Sequence, residues 1–382
     1  MGVRIGCGLS TDPDPRSGAI EAAQRARVTL DGRRCDLALV FASGHHLASP
    51  ESTLEGVDEA LAPPQMAGCG AGGVLGAGRE VEDGTAVAVW AAAFDEGEAE
   101  VFHLEAVDGP EGTAVVGMPP EDATAMLLMP DPYTFPADAF VSELGDIPVL
   151  GGISSARTLD GGAALFAGEQ VMSDGAVGVA FRHVAIRAAV SQGAAPIGPE
   201  MTITAAEGHM IQELAGRPAL SAIRDAVAAL PESERDKIAE GLLLGVVVDQ
   251  GKPEFERGDF LVRALLGADP DTGALAVGAY VEPGQVVRLH VRDALSADVD
   301  LHEVLGRERM RFQGSPPAGA LMFTCNGRGR GMFGEADHDV LAVDAALAGA
   351  PVAGFFAAGE IGPVGGRAHL HGFTATLAVF GP

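Results

Sequence analysis

Short apolar runs that end in glycine constrain this chain more than any other feature. The run 321–324 (Leu-Met-Phe-Thr) breaks into Cys325-Asn326-Gly327-Arg328-Gly329-Arg330-Gly331. Such a run predicts a buried strand feeding a tight loop. A helical window over 337–347 follows, with Val340, Leu341, Val343, Ala346 and Leu347 on one face. Next come a second strand over 351–356, the turn Gly359-Glu360-Ile361-Gly362-Pro363, a polar loop holding His369 and His371, and a third strand over 374–380.

The same order occurs twice upstream. In the first copy, strand 37–42 runs into Ser43-Gly44-His45-His46, and a helix over 51–61 leads to Gly68-Cys69-Gly70-Ala71-Gly72-Gly73 and a strand from Ala86. In the second, strand 126–129 meets Pro130-Asp131-Pro132, and a helix over 136–144 precedes Gly151-Gly152-Ile153-Ser154-Ser155 and a strand over 176–181. An internal repeat of strand, glycine loop, helix and strand is the expectation. The fold class is α/β, a mixed α and β architecture of two related domains with mixed sheets flanked by helices, divided as 1–215 and 216–382. The segment 107–122 reads as a polar connection, and 242–248 as a buried strand.

Charge narrows the function. Lys and Arg number 25 against 53 Asp and Glu, a formal net charge of −28 with only two lysines, Lys237 and Lys252. That field disfavours nucleic acid and anionic membrane surfaces as partners. Four cysteines (Cys7, Cys35, Cys69, Cys325) are too dispersed for a disulfide framework or a paired-cysteine metal site. No apolar run approaches a membrane span, and no leader pattern opens the chain, so a cytoplasmic location is expected.

The candidate site residues are the first polar positions past each strand, all expected at strand carboxyl ends: Ser43, His45, His46, Asp131, Cys325, Asn326 and Arg328, joined by Glu360 and His371. Glycine loops let backbone N–H groups approach an anionic ligand, or serve only as tight turns. Arg328 can fork a ligand carboxylate or pair with an acidic neighbour. Glu360, in an apolar segment, can receive a ligand amine or pair with Arg328. Cys325 is a nucleophile only if His45 or His46 lies near, and otherwise a buried thiol. The histidines give no convincing metal site, and no nucleotide-binding fingerprint is present, so no cofactor or metal is assigned.

Phe41-Ala42-Ser43 with His45-His46, Gly151-Gly152-Ile153-Ser154, Arg292-Asp293-Ala294, Phe323-Thr324-Cys325-Asn326-Gly327-Arg328-Gly329 and 354–362 (GFFAAGEIG) stand in an order that resembles the FIST family. The family is named for F-box and intracellular signal transduction proteins, and the resemblance covers both its N-terminal and C-terminal parts. It implies a stand-alone sensory module that binds a small, amino-acid-like ligand and signals to a partner protein. It supplies no catalytic residue. A hydrolase or transferase using Cys325, and an interaction module without a ligand, are the competing classes.

Overall fold

The computed structural model describes residues 2–382 except 111, 120, 146, 313 and 314. The chain divides into two compact units: Met1–Val190 with Leu301–Leu370 and Ala375–Pro382, and Ser191–Asp300 with His371–Thr374. The units follow contacts rather than chain order, because the second interrupts the third repeat.

In the first unit, repeat one comprises β1 (Val3–Ser10), α1 (Pro15–Thr29), β2 (Leu37–Ser43), α2 (Pro50–Leu61), β3 (Gln65–Gly70), the hairpin β4 (Val74–Gly76) and β5 (Arg79–Val81), and β6 (Ala86–Phe94). Repeat two opens on β7 (Glu98–Gly109) and β8 (Gly112–Val116). It continues through β9 (Ala125–Pro130), α3 (Ala137–Glu143), β10 (Val149–Gly152), the hairpin β11 (Leu165–Ala167) and β12 (Gln170–Met172), and β13 (Ala176–Arg182). Repeat three begins with β14 (Ile186–Gln192), which leads into the second unit.

That second unit holds β15 (Ala194–Glu207), β16 (Met210–Leu214), β17 (Arg217–Pro218), α4 (Ala219–Ala228), α5 (Glu232–Arg235), β18 (Leu242–Val247), β19 (Phe260–Ala268), β20 (Leu275–Val277) and β21 (Val286–Arg292). Its sheet runs β15-β21-β18-β19-β20-β16, and β16 pairs back to β15, so the strands close on themselves. A register shift between Ile197 and Glu200 on β15 accompanies this double pairing. Ile203, Ile211, Leu244, Val277 and Leu289 fill the interior, and α4 contributes Ala219, Ala222, Ile223 and Ala226.

Helix α6 (Ala294–Arg311) returns the chain to repeat three: β22 (Gly319–Cys325), α7 (Arg330–Phe333), α8 (His338–Ala346), β23 (Val352–Ala357), the hairpin β24 (Glu360–Val364) and β25 (Arg367–His371), and β26 (Thr374–Phe380). In every repeat the first strand lies parallel to the second and antiparallel to the last: β2 with β3 and β6, β9 with β10 and β13, β22 with β23 and β26. The expected repeat is present in full.

Each hairpin leaves its own repeat. β11 of repeat two pairs with β3 of repeat one, β24 of repeat three with β10 of repeat two, and β4 of repeat one with β23 of repeat three. The exchange is cyclic, and each hairpin covers what would otherwise be an open strand edge. Two loops read from sequence are strands: 360–364 is β24, whose partner β10 lies in repeat two, and the His369–His371 stretch ends β25, which pairs with β24. The expected connection 107–122 is likewise built partly from β7 and β8, which pair with each other.

The three inner sheet faces share one core. Phe41 of repeat one lies 5.2 Å from Phe355 of repeat three, Phe323 lies 5.5 Å from the same ring, and Trp90 lies 4.9 Å from Phe380. Leu127, Met129, Val177 and Phe181 bring repeat two into the cluster. On the outer faces, α1 buries Ala19, Ala22, Ala23 and Ala26, small residues that let the helix sit close to the sheet.

One glycine in each second strand faces the first strand's backbone. A Cβ at Gly68, Gly151 or Gly354 would stand 1.8, 2.0 or 1.7 Å from the carbonyl oxygen of Val40, Leu128 or Met322. No side chain fits there. Gly354→Ala is therefore expected to lower stability by about 3 kcal/mol or more, the upper end of overpacking costs. Gly306, in α6 with open space around it, should behave oppositely: Gly306→Ala should stabilise by about 0.4–1 kcal/mol. Urea unfolding of the two variants checks the contrast.

Candidate functional site

The parallel strand pairs bring their carboxyl ends together in the first unit. Ser43 ends β2, Asp131 follows β9, and Cys325 ends β22, so all three stand where the strands run out. Past the second strands, the glycine and serine loops bond across repeats. Gly70 N–H donates to Ala164 O, Ile153 N–H to Gly359 O (2.8 Å) and Phe356 N–H to Gly73 O (3.0 Å). Ser154 Oγ donates to Gly70 O at 2.8 Å. Ser155 Oγ accepts the Gly72 N–H at 2.9 Å and donates to Phe356 O, touching all three repeats. Asn326 Oδ1 and Ser155 Oγ flank Gly72, 4.0 and 3.8 Å from where its Cβ would stand. Gly72 and Asn326 are exposed.

Several of the sequence-derived residues are committed to holding these loops. Ser43 Oγ donates to Gly84 O at 3.0 Å and accepts the Ala86 N–H at 3.1 Å, pinning β2 to β6. His45 and His46 lie in a single turn of 3₁₀-helix, with His45 exposed and His46 buried. His46 Nδ1 lies 3.1 Å from Thr53 Oγ1, and burial lowers its pKa. Asp131 Oδ2 accepts from Tyr133 N–H, Thr134 N–H and Thr134 Oγ1, and pairs with Arg157 at 3.0 Å. Arg157 also lies over the Tyr133 ring, 4.4 Å from its centroid. His371 is buried at the end of β25 and belongs to the second unit.

Arg328 is 3% exposed, and its ion-pair partner is Asp339, which the sequence did not single out. Nε donates to Oδ2 at 2.6 Å and Nη2 to Oδ1 at 2.9 Å, a forked pair. Thr324 Oγ1 donates to Asp339 at 3.2 Å, and His338 Nδ1 lies 2.9 Å from Oδ1. The Phe333 ring sits 5.1 Å from the guanidinium and stacks on His338 at 3.6 Å. Burial alone would raise the Asp339 pKa. The Arg328 charge outweighs it and holds the carboxyl well below the usual range. Arg328 is raised in turn, with Cys325 and Glu360 adding to the dominant effect of Asp339 against its own desolvation. Glu360, fully buried at the start of β24, pairs in register with Gly152 and lies within the electrostatic reach of Arg328.

Beside this loop, the β4–β5 hairpin of repeat one is fastened to repeat three. Glu80 N–H donates to Asp337 Oδ1 at 2.6 Å, Glu80 Oε1 accepts the Val340 N–H at 2.9 Å, and Glu82 Oε1 accepts the Arg330 N–H at 2.8 Å. Burial pushes the Glu80 pKa up to about 7, and Asp339, Glu82 and Asp337 add to it against the Val340 hydrogen bond. In sequence, Arg79-Glu80-Val81-Glu82-Asp83 reads as a solvated charge run; only the exchange of hairpins buries its second residue. Asp339 is equally masked, since an acid in a first helical turn normally needs no partner.

Among the described residues no cluster of His, Cys, Asp and Glu is placed to hold a metal ion, and no helix is long and apolar enough to cross a membrane. Burial raises the Cys35 thiol to about 12 and raises those of Cys7 and Cys69, which leaves them un-ionised at neutral pH.

Three repeats whose strand-end loops are hydrogen-bonded to one another define a cyclically interlocked α/β scaffold in the first unit. Residues 36–217 match the FIST N domain and residues 219–363 the FIST C domain, and the chain belongs to the FIST family. It is similar across 99% of its length to uncharacterised mycobacterial proteins. One is Rv0628c of Mycobacterium tuberculosis, 43% identical over all of that protein, and another is Mb0898c of Mycobacterium bovis, 42% identical over 99% of it. FIST domains are associated with signal transduction and small-ligand sensing.

Removing Arg328 strands the Asp339 charge in the interior. Arg328→Ala is expected to lose about 3–5 kcal/mol of stability. Because the Asp339 pKa is depressed in the folded state, this contribution is present above its unfolded pKa of about 4 and fades as pH falls toward the folded value. Denaturant unfolding at pH 7 and pH 3 reads both effects. Glu80 carries the opposite sign. Its raised folded pKa favours folding at low pH, and that advantage is lost as pH rises through about 7. Between pH 5 and pH 8 the wild type should lose about 2–3 kcal/mol relative to Glu80→Gln, from the shift of the carboxyl above its ordinary value.

Proposed function

We propose that this chain is a sensory module that captures a small polar ligand of amino-acid chemistry at the carboxyl ends of the repeated strands and presents the bound state to a partner protein. The observation that carries the reading is the meeting of Gly72, Ser155 and Asn326, one loop from each repeat, on an accessible patch. Ligands of α/β sheets bind outside strand carboxyl ends, where loops diverge from the sheet and leave backbone groups open. A ligand bridging three repeats also couples to the whole exchange of hairpins, which suits a sensor better than a site within one repeat.

In this reading Asn326 supplies the exposed polar contact. Arg328 supplies Nη1, which has no hydrogen-bond partner among the described residues, to the ligand carboxylate. Asp339 fixes the fork behind it, so the guanidinium is oriented before the ligand arrives. Glu360 provides the negative field for the ligand ammonium. Ser43, His46 and Asp131 support the loops, and Cys325 positions the Arg328 turn through its carbonyl, which accepts the Arg328 N–H at 2.8 Å.

Calorimetric titration with the proteinogenic amino acids tests the reading. Asn326→Ala should leave stability within about 0.5 kcal/mol, as for other surface substitutions. It should weaken binding by about tenfold, the equivalent of a lost hydrogen bond to a charged group. Saturable binding that Asn326→Ala leaves unchanged, or no binding by any amino acid, would discard it. Turnover of a bound compound, lost in Cys325→Ala, would favour an enzyme instead.

A further inference from the structure

A cleft of about 510 Å³ opens beside the strand-end patch, lined by Thr11, Arg79, Glu80, Glu82, Asp83 and Arg330. Its side chains come from three places in the first unit: the turn after β1, the β4–β5 hairpin and the start of α7. Glu80 is 8% exposed, and its two oxygens differ. Oε1 accepts the Val340 N–H in the first turn of α8. Oε2 is buried with no hydrogen-bond partner among the described residues, although it belongs to a residue that lines the cleft. A buried carboxylate oxygen without a donor is costly and asks for one.

The surroundings decide which donor. The groups facing Glu80 are Glu82 and Asp83 on its own hairpin and Asp337 and Asp339 from the loop and helix packed against it. Arg328 and His338 are also on that side, but both are engaged with Asp339. Arg79, Arg330 and Asp83 are exposed lining residues and Glu82 is half-buried, so charge of both signs stands at the rim, while the buried end carries Glu80 with Asp339 behind it. An anion is repelled from that end, and a compact cation that donates hydrogen bonds is drawn to it.

We propose that this cleft is a binding site for a small primary ammonium group, with Glu80 Oε2 as its buried acceptor and Glu82 and Asp83 as its acidic flank. The site is separate from the Gly72–Ser155–Asn326 patch and does not depend on it. An ammonium matches the position because its three donors can serve Oε2 and a rim carboxylate together, and among the described residues no group of His, Cys, Asp and Glu is arranged to hold a metal ion. Occupancy holds Glu80 in its charged form. Since Glu80 Oε1 caps α8 and Asp339 lies one residue from Val340, a bound ammonium acts on the helix that carries the Arg328 partner.

Titration of the full chain with propylammonium chloride, and separately with sodium propionate, at pH 8 and pH 6 tests the proposal. Propylammonium should bind one site. Its affinity should fall about tenfold from pH 8 to pH 6 as Glu80 protonates, and binding at pH 7 should release protons to the buffer. Propionate should not bind there. Glu80→Gln should abolish the pH 8 binding while Asn326→Ala keeps it. If Glu80→Gln fails to fold, the wild-type titrations and proton release decide alone. Preferential binding of propionate, proton uptake instead of release, pH-independent affinity, displacement by magnesium at equal stoichiometry, or no saturable propylammonium binding each overturns it.

Discussion

Three carbonyl oxygens, of Val40, Leu128 and Met322, approach the adjacent parallel strand so closely that only glycine can stand opposite them. Much of the first unit depends on that approach. It brings the first and second strands of each repeat into tight parallel pairing and aligns their carboxyl ends. The loops that leave the second strands cross into the neighbouring repeat instead of returning to their own. Each then delivers a hairpin to a foreign sheet edge. No repeat completes its sheet alone, so the three are expected to fold as one cooperative body, with Phe41, Phe323 and Phe355 at the shared centre.

The interlock also explains where polar groups were placed. A hairpin docked across a repeat boundary needs directional contacts, and Glu80, Glu82 and Asp337 supply them as backbone-to-carboxylate bonds. The same boundary buries Arg328 against Asp339 and leaves Glu360 within its field. Charge is thus concentrated along one seam, between the repeat-one hairpin and the repeat-three loop and helix. A ligand bound there as proposed would meet groups whose protonation and pairing it can shift, and a sensor needs bound and free states that differ in more than occupancy.

The second unit is built on a different principle. Its strands close on themselves, and its buried histidine, His290, fits against Gly245, where a side chain would collide with the ring at 2.2 Å. Burial lowers the His290 pKa to about 4, so the ring is neutral at physiological pH and serves packing, beside Phe260 at 5.0 Å. Of this unit's strands, β18 was legible as the continuous apolar run 242–248. The unit's closure was not, because the pairings of β16 with β20 and of β15 with β21 join segments far apart in the chain.

The sequence by itself determined the repeat, the polarity of each strand end and the family, because apolar runs ending in glycine are local patterns and were sufficient to place Ser43, Asp131 and Cys325 at strand termini. Arg328 was also visible as a guanidinium in a glycine loop, and Glu360 as a charge in an apolar segment. Their partners were not. Asp339 and Glu80 were not singled out, and 359–363 and the His369–His371 stretch read as loops. Tertiary structure decided these, for one reason: the cyclic exchange of hairpins brings Glu80 against residues some 260 positions away, and burial, pairing and pKa follow from which repeat a segment docks on rather than from its neighbours along the chain.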